Sequence, residues 1–160
     1  MFTTSMKFFE PDEEFLKWIK DYANGRLILD CGAGLGHITR ALHVLGAKVV
    51  AIDPFADTDK FREENFELKV GHIHYIDDYS QSSKFTAMPN CLLLFCRPCH
   101  SDFVEATIYH MHPTSEALYI TVPRNFDGYD DLGEYKELAV EISHKGTSAE
   151  GEKVWSIKKV

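Results

Sequence analysis

The sequence predicts a three-layer α/β fold with a mostly parallel sheet, and three observations carry that expectation. Two short apolar runs, LILD (27–30) and KVVAID (48–53), flank a stretch with helical spacing, which reads as strand–helix–strand. A further run, CLLLFC (91–96), is followed by a second helical pattern and then by ALYITV (117–122). The end of the chain instead alternates apolar and polar residues around the turn-rich KGTSAEG (145–151), the pattern of an antiparallel hairpin. Strands that alternate with helices imply a parallel sheet covered on both faces, here closed at one edge by the hairpin.

Each element has its own signal. A first helix is expected over Pro11–Ala23, where Phe15, Trp18, Ile19 and Tyr22 form one apolar stripe at i, i+3, i+4 and i+7. Pro11 suits a first helical turn because its missing N–H has no partner to lose there. Asp12, Glu13 and Glu14 complement the positive helix start, and Gly25 ends the helix. Leu27–Asp30 is the first strand. In the next helix Ile38, Leu42 and Leu45 give an inner face, Leu35 stands at the start and Gly46 stops it. Lys48–Asp53 is the second strand, and its Val49-Val50-Ala51-Ile52 core reads as buried on both faces.

The middle of the chain is less regular. Residues 57–66 suit a short helix, and a third strand falls at Glu67–Val70 or at His72–Ile76. YSQSSK (79–84) reads as a loop. Cys91–Cys96 is a continuous apolar run and a central strand. Ser101–Met111 is a helix that Ser101 can cap and that Val104, Ile108 and Met111 line on one side. Ala117–Val122 is another buried strand. Between Val122 and Glu137 there is hardly room for a further helix. Leu138, Val140 and Ile142 alternate with polar residues, and VWSIKKV follows the turn to complete the hairpin. No repeat or linker divides the 160 residues, so residues 1–160 are expected to form one domain.

Composition narrows the function classes. Seventeen basic residues against 25 acidic ones give a formal charge of −8, which opposes non-specific capture of a phosphate backbone and disfavours a nucleic-acid partner. The first twenty residues hold no basic segment followed by an apolar core, and no run of about 18 apolar residues occurs, so neither a secretory signal nor a membrane span is expected. The expected location is the cytoplasm, where thiols stay reduced. The four cysteines (31, 91, 96 and 99) are then not a disulfide framework.

Ligands of such sheets bind beyond the carboxyl ends of the parallel strands, where strand order reverses. Three features fall at those ends: DCGAGLG (30–36), Asp53 and CRPCH (96–100). In the first, Gly32 lets the chain turn sharply off its strand, and Gly34 removes a side chain where a ligand approaches the backbone. Asp53 stands 21 residues after Gly32, and a carboxylate there can accept hydrogen bonds from both hydroxyls of a ribose. A nicotinamide or flavin fingerprint would want its third glycine at 37, which is His.

The pattern that is present, Asp-x-Gly-x-Gly-x-Gly followed by an acid ending the next strand, resembles motif I of the Rossmann-like (class I) S-adenosylmethionine-dependent methyltransferases. The terminal hairpin resembles that family's sheet, whose last-but-one strand in space runs against the others. The likeness covers most of a chain that is short for the family, and its specific part is residues 27–54. It implies S-adenosyl-L-methionine as cofactor. Asp30, Gly32, Gly34 and Gly36 match the cofactor turn, with Cys31 and Ala33 between them. Asp53 matches the ribose acid and is followed by Pro54. His72 stands where the family often has an acid beside the adenine, and Asp77 or Asp78 is the alternative for that contact. Cys96 ends the strand before the loop that, in the family, borders the transferred methyl group.

CRPCH has other readings by itself. Cys-x-x-Cys-His is a haem attachment signature, Cys-x-Pro-Cys resembles a thioredoxin redox site, and Cys96, Cys99 and His100 could join His72/His74 or His110/His112 around a metal. Covalent haem attachment takes place outside the cytosol. The redox motif belongs to a different small fold, and hallmark zinc sites show two Cys/His pairs, so no resident metal is expected. The loop also departs from the Asn/Asp-Pro-Pro-aromatic motif of amino-group methyltransferases. As a loop beside a methyl group it offers Arg97, which could hold an acidic substrate, and His100, a candidate base. His37 is a second candidate base by position.

The resemblance therefore implies a methyltransferase acting on a small molecule or a protein. The alternative is a catalytically inactive cofactor-binding or partner subunit of the same fold, since so short a chain could recruit a second subunit or a large substrate to complete its site. The open sheet edge is compatible with homo-oligomers.

Overall fold

The computed structural model describes residues 11–33, 36–52, 85–96, 101–121, 132–146 and 151–159. Their elements, in chain order, are α1 (Glu13–Ala23), β1 (Leu27–Cys31), α2 (His37–Val44), β2 (Val49–Ile52), β3 (Cys91–Cys96), α3 (Ser101–His110), β4 (Glu116–Thr121), β5 (Val140–Ile142) and β6 (Lys153–Lys158). The short helix expected at 57–66, both candidates for a third strand, and the loop 79–84 lie outside the described residues.

Helix α1 is amphipathic as its spacing predicts. Phe15 and Ile19 are fully buried, and Trp18 is half-buried against Phe15 and Tyr22. It ends at Ala23 as expected, and its start differs. Asp12, not Pro11, begins the helix: its Oδ1 accepts from the Phe15 amide at 2.8 Å, which satisfies one of the free donors of the first turn. Pro11 therefore precedes the helix. At the other end Asn24, with φ 52°, is the left-handed cap ahead of Gly25.

The strands form one six-stranded sheet in the order β2-β1-β3-β4-β6-β5. The first four are parallel, with Asp30 paired to Ala51 on one side and Leu94 on the other. Strand β6 runs antiparallel to both β4 and β5, so the expected terminal hairpin closes the edge. This is the mostly parallel, three-layer α/β architecture predicted from the sequence. Because side chains alternate along a strand, the sheet feeds two cores. On one face Ile28, Leu92, Leu94 and Leu118 pack under α1 and α2. On the other, Leu29, Leu93, Phe95 and Ala117 pack under Val104, Ile108 and Met111. Each fully buried side chain of that size contributes about 1.5–3 kcal/mol of transfer free energy.

The hairpin brings a correction. Leu138, Val140 and Ile142 do not share a buried face: Leu138 is 43% and Val140 62% exposed, and only Ile142 reaches the core. Leu138 belongs to a 3₁₀ segment over 132–138, whose period is not that of a strand, and Val140 lies on the edge strand of the sheet. The same 3₁₀ segment occupies the place where a helix had no room. Its Leu132 is fully buried, and the Glu134 amide donates to Glu105 of α3.

Candidate cofactor site

Strand order reverses at β1. The chain runs from β1 to β2 on one side, and β3 then lies on the other. Connections leave β1 and β3 in opposite directions at that point, which is where open α/β sheets bind their ligands. The glycine turn leaves β1 at this position, and Cys96 ends β3 beside it.

The described part of the turn is held by backbone bonds. Gly32 (φ 82°) and Gly36 (φ 88°) both adopt the left-handed conformation that favours glycine. The amides of Gly32 and Ala33 both donate to the carbonyl of Ile52, the last residue of β2, at 2.6 and 3.0 Å, and the Gly36 amide donates to Ala33 at 2.9 Å. The turn is thus stitched to the end of the neighbouring strand. Gly32 is exposed and Gly36 buried. Gly36 is also the N-cap of α2; it supplies no side-chain acceptor, and no acid lies in the first turn. Helix α1 has both an Asp cap and two acids, so the two helix starts are built differently.

Asp30 is 2% exposed, on the α2 face of β1. Its Oδ2 accepts a hydrogen bond from Thr39 Oγ1 at 2.6 Å, and Thr39 is fully buried. Cys31 points into the opposite core, 3% exposed, with its thiol 3.5 Å from the Leu29 carbonyl. Burial pushes that thiol well above its ordinary range, and the neighbouring Asp30 and Cys91 add to the effect. Any part Cys31 has in a site at this turn is through its backbone. Ala33 is half-buried. Cys96 is half-buried against the α1/α2 core, two residues beyond the Leu94 that pairs with Asp30.

The structure thus brings Asp30, Cys31, Gly32, Ala33, Gly36 and Cys96 to one end of the sheet. Gly34, Asp53, Pro54, His72, Asp77, Asp78, Arg97, Cys99 and His100 lie outside the described residues. Of the other candidates, His37 is exposed on the first turn of α2, and its Nδ1 accepts from Arg40 Nη2 at 3.0 Å. The Nδ1 of His112 lies 2.8 Å from Thr114 Oγ1 and accepts from the Thr114 amide, closing the turn before β4. No group of three or more His, Cys, Asp or Glu among the described residues is placed to hold a metal ion. Thr39 was not singled out from the sequence. A hydroxyl at i−3 from Leu42 on the buried stripe of α2 was its signal, since a buried hydroxyl needs a partner.

No protein-family model matches the sequence, and no curated protein matches it. Solved structures do match the fold. The C-terminal domain of precorrin-6Y C5,15-methyltransferase from Rhodobacter capsulatus superposes with a TM-score of 0.57 at 12% identity, covering 94% of each chain. An rRNA methylase from Streptococcus thermophilus gives 0.57 at 15% identity, over 89% of this chain and 94% of the other. The chain has the Rossmann-like methyltransferase fold.

A third protein with this methyltransferase fold, a point variant of MtNAS solved with S-adenosylmethionine, matches with a TM-score of 0.64 at 14% identity. That match covers 91% of this chain and 62% of MtNAS, so the chain spans under two thirds of that protein. Among the described residues no helix is long and apolar enough to cross a membrane.

Proposed function

We propose that the chain is an S-adenosylmethionine-dependent methyltransferase built as a single domain and acting on a small molecule or a protein. The observation that carries this reading is the glycine turn at the switch point, tied through the Gly32 and Ala33 amides to the Ile52 carbonyl. Asp53 is the next residue in the chain. A ribose acid following β2 and a glycine turn following β1 suit an adenosyl group, and the exposed Gly32 has no Cβ to obstruct it. The start of α2 carries neither a side-chain cap nor an acid, so the positive end of the helix faces no carboxylate of its own first turn.

In this reading Asp30, Cys31, Gly32, Ala33, Gly34, Gly36, Asp53, Pro54, His72 and Cys96 form the cofactor side of the site. When bound, S-adenosylmethionine supplies a methyl group on a sulfonium that is already a good leaving group. The protein then has to align donor and acceptor, and such positioning can account for about 7–11 kcal/mol in favourable systems. Arg97 holds an acidic acceptor, and His100 takes its proton where one must leave. The charge of −8 favours small-molecule or protein acceptors over nucleic acid.

Calorimetry with S-adenosylhomocysteine tests the cofactor: micromolar binding is expected, and no heat with that ligand but binding of NADH would overturn it. Incubating the purified chain and a cell lysate with methyl-labelled cofactor tests catalysis. Transfer of label to a protein or metabolite supports the enzyme, and no transfer despite cofactor binding supports the inactive subunit.

A further inference from the structure

We propose that Thr39 is a positioning residue that holds the glycine turn in shape through Asp30. The two residues bracket the turn. Asp30 is the last residue but one of β1, and Thr39 is the third of α2. Their hydrogen bond, 2.6 Å long and nine residues apart in sequence, joins the strand end directly to the first turn of the helix. The segment it spans holds Gly32 and Gly36, both at positive φ. Glycine has the least intrinsic conformational restriction of any residue, so Gly32 and Gly36 take their conformations from the bonds made around them. The Gly32 and Ala33 amides anchor one end to β2. The Thr39 hydroxyl sets the other, fixing how far the start of α2 stands from the carboxyl end of β1.

Burial makes this bond a strong constraint. Thr39 is fully buried and Asp30 is 2% exposed, so water does not compete for the carboxylate oxygen. A hydrogen bond to a charged acceptor in a low-dielectric setting is stronger than one between neutral groups. The hydroxyl also occupies a helix position where an aliphatic side chain would serve packing equally well, between Ile38 and Leu42 on the inner face. This inference deepens the proposed cofactor site and rests on it for its functional consequence. Its structural half concerns the turn alone.

The test is native-state hydrogen exchange by NMR on the full chain, combined with calorimetry. In Thr39→Val, exchange at the Gly32, Ala33 and Gly36 amides should accelerate about tenfold or more, as expected on losing a hydrogen bond to a charged group. Exchange at Leu93 and Leu118 in the central strands should stay unchanged. Thr39→Ser should restore slow exchange at the turn, and affinity for S-adenosylhomocysteine should follow the same order. Thr39→Ala, which lacks the hydroxyl and introduces no bulk, serves if the valine variant does not fold. Acceleration spread evenly over turn and sheet would overturn the inference, because it marks a general core contribution. No acceleration at the turn would overturn it equally. If the wild-type chain binds no S-adenosylhomocysteine while the turn alone loosens in the variant, the cofactor reading falls and the positioning of the turn by Thr39 stands.

Discussion

Arg26 Nη1 lies 3.0 Å from Glu116 Oε1, at the amino ends of β1 and β4 and so at the far end of the sheet from the glycine turn. Glu116 Oε2 accepts from the hydroxyls of Tyr22 and Ser156. One buried carboxylate therefore ties the end of α1 to β4 and β6. Breaking such a pair by removing one partner leaves the other poorly compensated. Glu116→Gln should lower unfolding free energy by about 3 kcal/mol in chemical denaturation, in the range for disrupted buried pairs. Ligand binding at the opposite end of the strands should be unaffected.

The same cluster predicts two limbs of pH dependence. Burial alone would raise the Glu116 carboxyl, but hydrogen bonds from Ser156, Tyr22 and Arg26 bring it below the ordinary glutamate range. Its stabilising contribution is whole above that range and is lost as pH falls through the lowered value. Burial and then Glu116 push the Tyr22 hydroxyl up to about 12. Its contribution is whole below the ordinary value of 10.0 and is lost as pH rises toward 12. Denaturation curves of wild type, Glu116→Gln and Tyr22→Phe against pH check both limbs. The difference from Glu116→Gln should shrink chiefly on the acid side and that from Tyr22→Phe chiefly on the alkaline side, each with a smaller change on the other limb because the two groups shift one another.

Gly146 presses on the start of α1. A Cβ placed there would come within 2.4 Å of both Asp12 Oδ1 and the Phe15 amide nitrogen, and φ is 70°. Neither the helix backbone nor its cap can yield cheaply, and a left-handed conformation adds about 1–2 kcal/mol for a residue with a side chain. Gly146→Ala should lower Tm by several degrees and weaken protection of the first turn of α1. An unchanged Tm would mean that the 144–146 segment moves freely off the helix.

The thiols should react unequally. Cys31 and Cys91 are buried, and burial raises both above the ordinary thiol range, while Cys96 is half-buried. Only the thiolate reacts. Alkylation at pH 8 followed by peptide mass spectrometry should modify Cys96 well before Cys31 or Cys91. Equal rates at all three would show that the central strands open readily.

Within the proposed enzyme, Arg97→Ala should reduce turnover at least tenfold while leaving S-adenosylhomocysteine affinity within about twofold, because removing a charged contact to the acceptor costs about 1.5–3 kcal/mol. Parallel calorimetry and rate measurements decide it. Unchanged turnover removes Arg97 from the site.

Most elements were legible because burial imposes a period. The stripe of Phe15, Ile19 and Tyr22 specifies a helix, and the runs VVAI and CLLLFC specify strands covered on both faces, as β2 and β3 are. The apolar alternation at Leu138 and Val140 misled because period 2 marks a strand face only where something covers that face. The helix start differs by two residues because Pro11 and Asp12 both suit a first turn, and only the path of the chain shows that Asp12 is the cap.

Of the candidate site, the glycine spacing alone determined where the chain turns, since the left-handed conformations at Gly32 and Gly36 are open to few other residues. Which strands flank that turn was a tertiary matter. The order β2-β1-β3 depends on pairings between segments far apart in sequence, and these put the end of β3, with Cys96, on the side of the turn opposite Ile52. The direction of each side chain was decided in the same way. Asp30 and Cys31 are neighbours in sequence, yet the pleat sends one to Thr39 and the other into the opposite core. Local sequence encodes conformation, whereas a buried carboxylate finds its partner only after the layers have packed.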